Sequence, residues 1–232
     1  MVSGLACTVA YVAVSAVHAQ DWPAFRGPDG QGHSVAHDVP LEWSESRNVA
    51  WKAPVAGRGW SSPVVAGGRV WMTTAVTGKT TSLRALAYAV ETGRLERNIE
   101  IFEITDATLL NEKNSHASPT PIVQGDRVYV HFGPVGTAAL TTGGDVLWRT
   151  TLTYRPEYGN GGSPLLYHDL LIVNCDGGDQ AYVIALDTKT GAVRWKTPRR
   201  ASGSAYTTPL LVRVGGRDQV VSAAVPSAPK WT

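Results

Sequence analysis

The sequence is poor in cysteine, in net charge, in long apolar runs and in helical periodicity. Only two of its 232 residues are cysteines, Cys7 and Cys175, and Cys7 lies inside an N-terminal apolar run. If that run is removed, Cys175 stands alone and no intramolecular disulfide is possible, which excludes a small disulfide-stapled scaffold. Lys plus Arg number 21 and Asp plus Glu 19, for a formal charge of +2. Such a balance lacks the basic footprint of a protein that neutralises phosphates, so nucleic acid is excluded as the expected partner. No segment reaches 18 uninterrupted apolar residues, so no transmembrane helix is expected in the mature chain. Apolar residues do not recur at a sustained spacing of 3.6, which rules out helical solenoids. What remains is 43% hydrophobic residues, 24 glycines, 14 prolines, eight Trp and eight Tyr. That mixture can bury a substantial core and suits many short strands joined by turns.

Residues 5–17 (LACTVAYVAVSAV) are apolar but too short to span a bilayer of about 30 Å. Val17-His18-Ala19 then places small residues at the −3 and −1 positions of a cleavage site before Gln20. The pattern reads as a signal peptide over residues 1–19, although no Lys or Arg precedes the run. A periplasmic or secreted location is expected. Cys175 follows the apolar run of residues 170–173 and reads as a buried structural thiol.

Internal repeats carry the main signal. Segments 61–71, 119–129, 162–172 and 207–221 align, each with a small hydroxyl residue, a proline, an apolar strand, a turn and a second apolar strand. Gly67-Gly68, Gly125-Asp126 and His168-Asp169 fall where a two-residue hairpin needs tolerance of positive φ. The prolines lie at 63, 121, 164 and 209, where Pro at the first strand position would cost no ladder bond. The first interval is the longest and contains residues 99–114, which read as a polar insertion. A second half-repeat of strand, Thr-Gly turn and strand follows each of the first three hairpins, at residues 87–93, 139–148 and 185–195. One period is therefore four antiparallel strands in about 45 residues, the unit of a β-propeller blade.

The stretch Ala185-x-Asp187-x-x-Thr190-Gly191-x-x-x-Trp195 resembles the tryptophan-docking motif of the pyrroloquinoline-quinone-like repeat family at every signature position. Residues 139–148 keep the Ala, Gly and Trp, with Trp148 at the Trp position and Thr141 in place of Asp. The first copy keeps Ala87, Thr92 and Gly93, but has Ala89 for Asp and Arg97 for Trp. Residues 21–32 (DWPAFRGPDGQG) also look like the entry segment of exported bacterial members. The resemblance implies that the Trp stacks on a neighbouring blade while Asp and Thr fix the turn. Ala185, Asp187, Thr190, Gly191, Trp195 and Trp148 are thus expected to be structural docking residues, with Trp195 largely buried between blades.

Family rings have seven or eight blades. The expected fold is all-β: an incomplete β-propeller of four-stranded antiparallel blades, about three plus part of a fourth. The domain reading is a signal peptide over 1–19, an entry segment with a ring-closing strand at 48–52 over 20–59, and a partial propeller over 60–232. The chain reads as a fragment that breaks off within the fourth blade.

Candidate sites are few. Asp176-Gly177-Gly178-Asp179 lacks the ligand count of a Ca²⁺ loop and reads as a turn. His33 and His37 with Asp38, and separately His116 and His131, lack metal-site spacing and read as solvated or structural. Residues 57–62 lack the Gly-Lys-Ser/Thr end of a phosphate loop, and no Gly-x-Ser-x-Gly elbow occurs. No catalytic residue, metal ligand or cofactor is expected. The functional expectation is a non-catalytic extracytoplasmic scaffold for protein or peptide. The alternative, implied by the resemblance, is part of a quinone-dependent alcohol or sugar dehydrogenase using pyrroloquinoline quinone with Ca²⁺. Family dehydrogenases carry a pair of adjacent cysteines, which this chain lacks. Polysaccharide binding through surface Trp and Tyr is a third possibility.

Overall fold

A computed structural model describes residues 21–37, 39–105, 110–200 and 203–225. The expected leader, Asp38, the tail from residue 226 and Trp231 lie outside the described residues. The repeats fold into sheets in strict chain order. The first sheet contains β1 (Val64–Ala66), β2 (Arg69–Thr77), β3 (Thr81–Ala89) and β4 (Leu95–Ile104). The second contains β5 (Ile122–Gln124), β6 (Arg127–His131), β7 (Thr137–Thr141) and β8 (Val146–Thr150). The third contains β9 (Leu165–Tyr167), β10 (Leu170–Asp176), β11 (Ala181–Asp187) and β12 (Val193–Pro198). A fourth sheet has β13 (Leu210–Val214) and β14 (Arg217–Val221) among the described residues. All pairings are antiparallel. No α-helix occurs among the described residues, only a 3-10 turn at Gly133–Val135.

Each sheet is a meander because its turns permit nothing else. Gly67 and Gly68 take φ of 57° and 72°, the pair a tight primed turn requires. The four prolines sit one residue before β1, β5, β9 and β13 rather than at the first strand position. There they leave every ladder donor in place. One expectation is corrected: residues 99–104 are not insertion but the second half of β4, paired with β3 as far as Thr81↔Ile104.

The cores lie between the sheets. Val64, Trp71, Leu83, Ala85 and Ile101 of the first blade pack with Val128, Val130, Phe132, Ala138 and Leu140 of the second. Tyr129, Ala139 and Trp148, on the opposite face of the second blade, pack with Leu171, Val173, Cys175, Tyr182 and Leu186 of the third. A middle blade is therefore buried on both faces, and its central strands read as near-continuous apolar runs. The entry segment closes the edge formed by the first strands. Trp22 and Val65 exchange two backbone hydrogen bonds of 2.7 and 2.9 Å, and Val123 N–H donates to the Pro23 carbonyl at 2.8 Å. Residues 48–52 form no strand; they serve another purpose, described next.

Candidate functional site

The turn after β11 is built by one carboxylate. Asp187 Oδ1 accepts from the Lys189 N–H at 2.9 Å, the Thr190 N–H at 3.0 Å and the Thr190 hydroxyl at 3.0 Å. Its Oδ2 meets Arg194 Nη1 at 2.8 Å, and the same guanidinium reaches Asp169 at 2.9 Å. The Arg194 hydrogen bond, helped by the turn N–H groups, holds the Asp187 carboxyl down at about 2. Gly191 then turns with φ 71°.

What rests on this turn is the tryptophan of the preceding blade. Trp148, 8% exposed, donates its indole N–H to the Thr188 carbonyl at 3.0 Å. A Cβ on Gly191 would lie 2.5 Å from the Trp148 ring, so only glycine leaves room for it. Trp51 does the same one position earlier, donating to the Val90 carbonyl at 2.6 Å above Gly93. This is the role of residues 48–52: they deliver an indole to the first blade instead of a strand. In between, Arg97 takes the tryptophan's place, its Cδ 3.6 Å from where a Cβ on Gly144 would lie.

Trp148 and Trp195 are equivalent in register, opposite Ala139 and Ala185, each followed by a bulge; Arg97 faces Ala87 in the same way. Their surroundings differ. Trp195 is 37% exposed, which corrects the expectation that it is largely buried. The cause is geometric, because the fourth sheet has two strands among the described residues and no equivalent turn to receive it.

The remaining polar groups are mostly engaged in structure. Asp176 pairs with Arg199, and Asp179 accepts from the Arg155 N–H at 2.8 Å, so residues 176–179 form a turn. Cys175 is fully buried, and burial pushes its thiol up to about 12. His131 is fully buried, with Nδ1 2.8 Å from the Thr137 hydroxyl; burial drives it down to about 3. Among the described residues no three His, Cys, Asp or Glu come together as a metal ion would need.

Two surfaces that the sequence did not single out are open to ligands. A cavity of about 660 Å³ lies between the entry turn and the first strands, lined by Phe25, Arg26, Val123, Leu165, Tyr206 and Leu210 among others. The entry segment then continues through residues 33–43, where Val35, Val39, Leu41 and Trp43 are all exposed, Leu41 by 91% and Trp43 by 73%.

Four-stranded meanders stacked face to face, with tryptophans docked on the next blade's turn, define a β-propeller protein of pyrroloquinoline-quinone-like repeats. Residues 41–173 match the family described as outer membrane protein assembly factor BamB, and the chain belongs to that family. Among solved structures it is similar to the quinohemoprotein alcohol dehydrogenase of Comamonas testosteroni (TM-score 0.54, 17% identity) and to ADHIIG of Pseudomonas putida HK5 (0.50, 18%). It also resembles BamB of Moraxella catarrhalis (0.40, 17%). The alignments cover 76%, 77% and 70% of this chain, and 27%, 26% and 55% of the respective structures. The chain thus spans about a quarter of the length of the dehydrogenases. No curated protein matches it.

Proposed function

We propose that this protein is a non-catalytic extracytoplasmic scaffold that binds protein or peptide segments through its entry face. The observation that carries this reading is the exposed apolar stretch of Val35, Val39, Leu41 and Trp43. Single exposed apolar side chains are ordinary, but four close together in sequence make a patch of the kind that marks an interaction site. An exposed apolar segment outside the sheets also suits strand addition, in which main-chain bonds give affinity and alternate side chains give specificity. Membership of an outer-membrane assembly-factor family supports the same direction. A periplasmic or secreted setting accords with the leader pattern, and no helix among the described residues is long and apolar enough to cross a membrane.

The second reading, part of a quinone-dependent dehydrogenase, is favoured only by fold similarity. One experiment separates them. A photo-crosslinking residue at position 41 of the full-length protein, expressed in exporting cells, should yield discrete polypeptide adducts. Leu41→Ser/Trp43→Ser should abolish adducts formed from a neighbouring probe at position 42 while leaving the unfolding midpoint unchanged. Absence of adducts, or oxidation of alcohols after reconstitution with pyrroloquinoline quinone and Ca²⁺, would overturn the scaffold reading.

A further inference from the structure

A second, smaller pocket opens at the end of the blades opposite the docking turns. Its volume is about 270 Å³, and it lies between the β6–β7 loop, the crossover from β8 to β9 and the crossover from β4 to β5. Its walls are apolar: Phe132, Pro134, Val135 and Pro156. Its polar groups are His116, Tyr154, Arg155 and Asn160, and no carboxylate lines it.

The floor is rigid. Tyr154 is 3% and Asn160 8% exposed, and the phenol donates to Asn160 Oδ1 at 3.2 Å. The Asn160 amide reaches the Gly162 carbonyl at 3.3 Å, and its backbone carbonyl accepts from Asn114 Nδ2 at 3.3 Å. Gly133, with φ 64°, lets Asn160 close against it, since a Cβ there would fall 2.8 Å from the Asn160 Cβ. Burial with satisfied hydrogen bonds fixes such groups in place.

The rim is different. The Arg155 backbone is pinned at both ends, its N–H by Asp179 and its carbonyl by the Gly178 N–H at 3.1 Å. Its guanidinium has no acidic partner among the described residues. Half-buried His116 likewise has no side-chain partner there, and desolvation lowers its pKa, leaving a neutral ring with one N–H to give. A preformed apolar pocket with a few convergent polar groups is the ordinary form of a small-molecule site. A guanidinium fork anchored through its backbone, with no competing carboxylate, favours an anion that can take two parallel hydrogen bonds.

We propose that this pocket binds a small carboxylate with an apolar body, its head on Arg155 and His116 and its body against Phe132, Pro134 and Val135. The volume corresponds to about nine waters at ~30 Å³ each, which suits a molecule of benzoate's size. The assignment is independent of the scaffold reading, because neither Leu41 nor Trp43 contributes to the pocket.

The test titrates the full chain with benzoate and with benzamide, its neutral isostere, followed by NMR. Benzoate should bind at one saturable site at least tenfold more tightly than benzamide, with Overhauser contacts from its ring protons to Phe132 and Val135. Arg155→Gln should bring the two affinities together without moving the unfolding midpoint, since the exposed guanidinium makes no hydrogen bond or ion pair among the described residues. Failure of benzoate to bind, equal affinities in the unaltered protein, a preference that survives Arg155→Gln, or contacts elsewhere would each overturn the proposal.

Discussion

At the scale of single residues, the docking turns turn one amino-acid choice into a fit between blades. Trp148→Ala removes a buried indole together with its bond to the Thr188 carbonyl and should cost about 3–5 kcal/mol. Trp195→Ala should cost less, because that residue is 37% exposed and no hydrogen bond from its indole is made among the described residues. Urea unfolding of the two variants measures the difference. On the other side of the contact, Gly191→Ala should rival Trp148→Ala, since the new methyl would meet the ring. Gly67→Ala, also at positive φ but with open space around it, should cost only about 1–2 kcal/mol of left-handed strain. His131 gives the fold a pH dependence. Its folded pKa of about 3 lies below the unfolded value near 6.5, so between those limits the unfolded chain binds the extra proton. Stability from this group is complete above pH 6.5 and falls on acidification by up to about 1.4 kcal/mol per unit. Asp187 begins to lose its contribution only below about pH 4, so unfolding midpoints between pH 7 and 5 report the histidines. His131→Gln should flatten that slope.

At the scale of the element, a strand's position in its blade matters more than its composition. In the first three blades the second and third strands are buried over most of their lengths, whereas β12 and β14 are exposed along their whole lengths. Hydrogen exchange should therefore be slowest in β2, β3, β6, β7, β10 and β11, and fastest in β12 to β14. Uniform protection across the third sheet would contradict this ordering. The hairpins were legible because turn chemistry is local: Gly67-Gly68 or Gly215-Gly216 can do little else between apolar runs. The extent of β4 was not legible. Its Glu and Asn residues look like loop, yet they pair with β3 and carry Glu100 to Arg84 and Glu103 to Thr80. An outer strand is wet on one edge and needs no apolar pattern.

At the scale of the whole molecule, the entry segment acts as a cover for the first strands. It satisfies backbone groups of Val65 and Val123 that would otherwise lie on open strand edges. Deleting residues 1–32 should expose them and produce concentration-dependent association in gel filtration. Unchanged elution across a hundredfold concentration range would show that the segment does not protect them.

The order of strands, the blade period and the turn geometry were determined by the sequence itself, since each rests on contacts within a few residues or on a recurring segment. The docking motif was legible as residues but not as a contact. Asp187, Thr190 and Gly191 announce a turn, yet only the tertiary structure decided that Trp148 and not Trp195 sits on it. An indole stacks on the next blade, about one period away, and sequence spacing does not say which turn it meets. For the same reason Trp51 and Arg97 found their partners at Gly93 and Gly144 only in three dimensions. The carboxylate pocket was wholly illegible. His116, Phe132, Tyr154, Arg155 and Asn160 come from three separate loops, and none lies in a repeat. What brings them together is the stacking of the blades, a property no single segment encodes.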